Sequence, residues 1–150
     1  MKRKTTKRET ELLARQFRIA IDAAKDKGVF EADVAFKTFP KGCSGDTVEL
    51  LGEYLRENGI ESDYICGCRY YECPDMGFQS HAWLVVDGMI VDITGDQFKD
   101  DKRYGKYDEA VYVGAADEFH ELFNEKEVHP IKELTDGRLK WIYETIKITL

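Results

Sequence analysis

No part of this chain constrains its fold more than Ser80–Phe98, which reads SHAWLVVDGMIVDITGDQF. Two apolar runs flank Asp87-Gly88, a dipeptide suited to the paired φ > 0 positions of a type I′ turn, and the pattern predicts a β-hairpin. A two-residue turn pairs Val86 with Met89, Trp83 with Asp92 and His81 with Thr94. Side chains alternate along each strand, so the hairpin has two unlike faces. Ala82, Leu84, Val86, Met89, Val91 and Ile93 form an uninterrupted apolar face that should pack on a core. His81, Trp83, Val85, Ile90, Asp92 and Thr94 form the other. His81 and Asp92 are then diagonal neighbours at roughly 7–8 Å between backbones, within reach of an aromatic side chain.

A carboxylate beside an imidazole holds one tautomer of it, and the partner still required is a nucleophile. Upstream, Phe39-Pro40-Lys41-Gly42-Cys43-Ser44-Gly45-Asp46 leads into a helical pattern over 44–57. That places Cys43 at or next to a helix N-terminus, where unpaired N–H groups and the positive dipole end favour thiolate over thiol. Cys43, His81 and Asp92 in chain order supply nucleophile, base and orienting acid. Asp46 reads as a structural group in the first helical turn, and Asp96 as the fallback orienting acid. Trp83 should shield the His–Asp pair. His120 and His129 stand in charged contexts and are expected at the surface.

Around this centre the elements follow in order. Residues 10–27 predict an amphipathic helix with Leu12, Leu13, Phe17, Ala20, Ile21 and Ala24 at helical spacing and Gly28 as its stop. In the helix over 44–57, Val48, Leu51 and Leu55 form a stripe that Asn58-Gly59 closes. Residues 60–68 read as a strand, 72–79 as a loop, 110–114 as a strand and 118–124 as a short helix. Residues 141–150 fit either a closing strand or a helix. Helices first and an antiparallel sheet after define an α+β domain.

At 150 residues the chain is expected to be one domain over 1–150, with a flexible basic arm at 1–9 and a catalytic core at 39–98. A net charge of −7 disfavours nucleic-acid binding. No apolar run reaches the roughly 20 residues of a membrane span, and no apolar signal core follows the basic start, so a cytoplasmic protein with no membrane partner is expected. The four cysteines, Cys43, Cys66, Cys68 and Cys73, should then be reduced. The rival use of them is a zinc site from Cys66, Cys68 and Cys73 with His81 or Cys43, although the spacing is not that of paired C-x2-C knuckles.

With these residues placed, 39–98 resembles the transglutaminase-like branch of the papain-like cysteine enzyme superfamily. The matching pieces are Gly42-Cys43 at a helix start, the strand His81-Ala82-Trp83-Leu84-Val85-Val86 and the strand Ile90-Val91-Asp92-Ile93-Thr94. Arylamine N-acetyltransferases and the cysteine proteases of lasso-peptide maturation share this arrangement. The resemblance implies a papain-like core and a cysteine hydrolase of amide bonds that needs no cofactor or metal and takes a peptide or protein substrate. Cys43 would be acylated, His81 would protonate the leaving group and Asp92 would orient His81. The backbone N–H of Cys43 supplies one oxyanion donor. No matching Gln or Trp stands just before Cys43 to supply the second. The alternatives are acyl transfer to an amine, as in transglutaminases, and a non-catalytic binding module holding zinc through its cysteines.

Overall fold

The computed structural model describes residues 6–150. It is an α+β fold in which four helices accompany a five-stranded antiparallel sheet. Helix α1 (Lys7–Asp26) opens with a Thr6 side chain accepting from the Glu9 N–H. It stops at Gly28, whose φ of 79° allows Gly28 to bond back to Lys25 and Val29 to Ala24. Met1–Thr5 of the expected arm lie outside the described residues. Its last three, Lys7 to Glu9, are helical rather than flexible, because that cap and first turn hold them. Helix α2 (Ser44–Glu57) ends the same way at Gly59, with Leu55 and Ile60 both buried across the stop.

Strands β1 (Asp63–Tyr70), β2 (Phe78–Val86), β3 (Met89–Asp92) and β4 (Tyr112–Gly114) run as a meander. The chain then passes through the short helix α3 (Glu118–Glu121) to β5 (Glu125–Pro130), which pairs with the free side of β1. The sheet order is therefore β4-β3-β2-β1-β5. Asp87 and Gly88 both have positive φ, 48° and 80°, and Val86 lies opposite Met89. Helix α4 (Gly137–Ile148) settles the open choice at the C-terminus. Leu139, Ile142, Tyr143 and Ile146 are buried at i, i+3, i+4 and i+7, a helical period that a strand would scatter over both faces.

The sheet divides two cores of different chemistry. On one face Ala82, Leu84, Val86, Val91 and Ile93 pack against Phe17, Ile21, Leu51, Leu55 and Ile142 of the helices. On the other, Ile65, Trp83 and Ile90 meet Phe98, Tyr104, Phe119 and Phe123 from the turns and α3. Gly67 lies between two strand neighbours on this aromatic side for a spatial reason. A Cβ there would stand 2.7 Å from Phe123 Cβ and 2.9 Å from the Trp83 ring. Among the described residues no helix is long and apolar enough to cross a membrane.

Candidate functional site

His81 lies on β2 near the end where β3 finishes, and Asp92 is the last residue of β3. Their side chains share the aromatic face and meet, with His81 Nε2 2.7 Å from Asp92 Oδ2. A third residue joins them. His120 Nε2 also lies 2.7 Å from Asp92 Oδ2, and its Nδ1 lies 2.6 Å from Asp117 Oδ1. The other Asp92 oxygen accepts the Thr94 backbone N–H at 2.9 Å, a local turn that fixes the carboxylate plane. His81, Asp92 and His120 are 1%, 2% and 1% exposed, so this is a sealed polar cluster inside an aromatic shell.

Burial alone would raise the pKa of Asp92, but the two histidines outweigh it and hold the carboxyl below the usual carboxylate range. Burial alone would lower His120. Hydrogen bonds and charge from Asp92 and Asp117 reverse that and raise it above the ordinary imidazole value. The expectation that His120 lies at the surface is therefore corrected. The signal for it was local: Asp117 stands three residues before His120 as a helix cap, and Phe119 and Phe123 flank it on a turn too short to show a period. His129 is exposed, as read from the sequence. Trp83 is buried, its ring centroid 5.7 Å from that of His81 and 4.8 Å from that of His120, so it walls both imidazoles.

The turn that follows β3 is held from the helical layer. Arg18 of α1 donates to the Ile93 carbonyl at 2.7 Å, to Asp96 through two nitrogens at 2.9 and 2.8 Å, and to the Ala110 carbonyl at 3.1 Å. Asp96 is spent on this pair and does not orient His81. Within the same turn Gln97 Nε2 lies 3.3 Å from His81 Nδ1 and 3.1 Å from the Thr94 carbonyl oxygen.

Cys43 takes the N-cap position of α2, as its sequence context predicts. Its approach runs at the same end of the sheet, since Arg18 lies over the Phe39 ring at 4.9 Å while binding Ile93. The thiol, however, packs in the helical-side core at 3% exposure, whereas His81 faces the aromatic side. No hydrogen bond joins Cys43 to His81 among the described residues. Nor does the helix start yield a thiolate at rest. Burial pushes the Cys43 thiol up to about 12, with Asp46 and Asp33 adding to it and Thr47 and Lys25 opposing. The structure thus brings His81 and Asp92 into contact and leaves Cys43 in the other core, on the helical side of the sheet. Asp46 accepts from Arg138 of α4, a structural tie.

All four cysteines are free; Cys66 and Cys68 are half-buried on β1, and Cys73 is exposed in the following loop. Among the described residues the one cluster with metal-ligand character is His81, Asp92 and His120, whose nearest ligand atoms lie within 4.8 Å of one another, and it includes no cysteine. Two ligands of one zinc ion at about 2.0–2.1 Å stand roughly 3.3 Å apart in tetrahedral geometry. The 2.7 Å separations here are hydrogen-bond lengths, with one oxygen accepting from both rings. Comparison with protein-family models, with curated proteins and with solved structures returns no match.

Proposed function

We propose that this chain is a cysteine-dependent hydrolase of amide bonds in peptides or proteins, with the papain-like, transglutaminase-like arrangement that its sequence resembles. What supports the reading is the buried contact between His81 Nε2 and Asp92, which commits one ring nitrogen to the acid and leaves Nδ1 as the proton acceptor. Cys43 at the N-cap of α2 is the nucleophile.

Because burial keeps the thiol protonated, the nucleophile is generated during attack. For this, Cys43 Sγ must leave the helical-side core and replace the Gln97 amide, which lies 3.3 Å from His81 Nδ1. Catalytic hydrogen bonds often tighten only with substrate present. As the S–C bond forms to the carbonyl carbon, the thiol proton passes to Nδ1 and the oxyanion faces the Cys43 backbone N–H. Collapse breaks the C–N bond, and the amine leaves with that proton. Water then attacks the thioester, giving its proton to His81, and the carboxylic acid departs as the thiol is restored.

A peptidyl electrophile such as an acyloxymethyl ketone tests this directly. Site-resolved mass spectrometry should find it on Cys43, should find it lost in His81→Gln, and should find it retained when Cys66, Cys68 and Cys73 are all changed to Ser. Labelling of Cys43 that survives unchanged in folded His81→Gln contradicts the proposal.

A further inference from the structure

Both imidazoles of the buried cluster bind the same Asp92 oxygen, yet their outer nitrogens face opposite chemistry, and that difference assigns their protons. Asp92 is ionised, so each Nε2 must present a hydrogen to it. The outer nitrogen of His120 faces a second carboxylate oxygen, Asp117 Oδ1, at 2.6 Å, and so presents a hydrogen too. The outer nitrogen of His81 faces the side-chain amide of Gln97. Which atom of that amide points inward is fixed by the Thr94 carbonyl, which only accepts, so the shared atom is the Gln97 nitrogen and it donates to both. His81 Nδ1 is therefore an acceptor.

We infer that His120 is a cationic positioning residue: held between Asp92 and Asp117, it keeps Asp92 ionised and leaves His81 as the neutral Nε2–H tautomer with Nδ1 open to receive a proton. The role of His81 as base rests on the proposed hydrolase, whereas the proton assignment stands on the hydrogen-bond partners alone. One carboxylate shared by two imidazoles does not by itself choose which carries the charge. Asp117 makes the choice, because only His120 has a second anion. Asp117 is also the member of the chain that reaches the surface, beside a cavity of about 540 Å³ lined by Tyr107, Phe119 and Leu122.

The remaining groups around His120 do not compete for the charge. The rings of Tyr107 and Tyr112 approach it from the two neighbouring segments at 5.9 and 5.6 Å. Burial raises both phenols, so they stay neutral. Trp83 and Phe119 close the remaining sides, and the carboxylates of Glu118 and Glu121 on α3 itself are exposed.

Nitrogen-15 NMR of the ring-labelled full chain reads this without any substrate. His120 should show two protonated ring nitrogens to a pH above the ordinary imidazole midpoint of about 6.5. The neutral ring of His81 should carry its hydrogen on Nε2. Asp117→Asn leaves Asp92 and His81 in place, and should lower the His120 midpoint with the His81 tautomer unchanged. A His120 with a single protonated nitrogen at neutral pH overturns the inference, as does a His81 protonated at Nδ1. So does a stoichiometric metal in the purified protein that removes both Nε2–H signals. An inert Cys43 would count against the hydrolase and leave these assignments standing.

Discussion

Replacing Asp92 by Asn changes one atom and inverts the logic of the buried cluster. Asp92 Oδ2 accepts from two imidazole nitrogens at 2.7 Å, and Oδ1 accepts from the Thr94 N–H at 2.9 Å. An Asn carbonyl can keep the Thr94 bond, but its NH2 group then points two hydrogens at two N–H donors. The His120 cation also loses one of its two anions while remaining buried. Hydrogen bonds to charged groups contribute about 1.5–3 kcal/mol each, so losing two costs about 3–6 kcal/mol. Against a typical total of about 5–15 kcal/mol this is a large share of the stability. Urea unfolding at neutral pH, with a slope near 2 kcal/mol/M, should show the midpoint falling by about 1.5–3 M at unchanged slope. A loss below about 1 kcal/mol would refute the reasoning, because it would mean that the carboxylate charge does little in the folded state.

Other perturbations separate the parts of the account. Arg18→Met removes the cation that binds Asp96 and two carbonyls; leaving that carboxylate unpaired should cost about 3–5 kcal/mol by chemical denaturation. Gly67→Ala drives a methyl into Phe123 and Trp83, and should cost about 1–3 kcal/mol and disturb the near-ultraviolet signal of the tryptophan. The pH dependence of stability should have two limbs. Asp92 is lowered on folding, so its contribution is present above about pH 3.9 and is lost as pH falls towards its folded value. His120 is raised on folding, so its contribution is complete below about pH 6.5 and is lost as pH rises through its folded value. In His120→Gln the alkaline limb should disappear from the unfolding curve, and its persistence would assign that limb elsewhere.

The hairpin was legible because its turn dipeptide and its period of two agree on one register, which in turn specified the His81–Asp92 pair. Helices α1 and α2 were legible from their stripes and glycine stops. Strand β5 was not: its sequence Glu125-Lys126-Glu127-Val128-His129-Pro130 is exposed throughout, so it pairs with β1 through backbone bonds without leaving an apolar alternation. His120 reads as a surface residue because a four-residue helix carries no period and its charged neighbours suggest solvent, while its burial comes from Trp83, Tyr107, Tyr112 and Phe119, as far as 37 positions upstream. The thiol of Cys43 shows a similar limit. Sequence placed it at a helix start, but its ionisation follows from packing among Phe39, Val48 and their neighbours, which no local pattern reports.

The central claim is that Cys43 reacts through His81. Its most direct test is the rate of Cys43 alkylation by iodoacetamide between about pH 5 and 9, across the free-thiol value of about 8.5, read at that residue in the wild type and in His81→Gln. The account predicts that the wild-type thiol is alkylated in the folded protein by transfer of its proton to His81, and that His81→Gln, still folded, slows the reaction by at least about tenfold. Identical rates in the two proteins, or a Cys43 that labels only once the chain is unfolded, would contradict it.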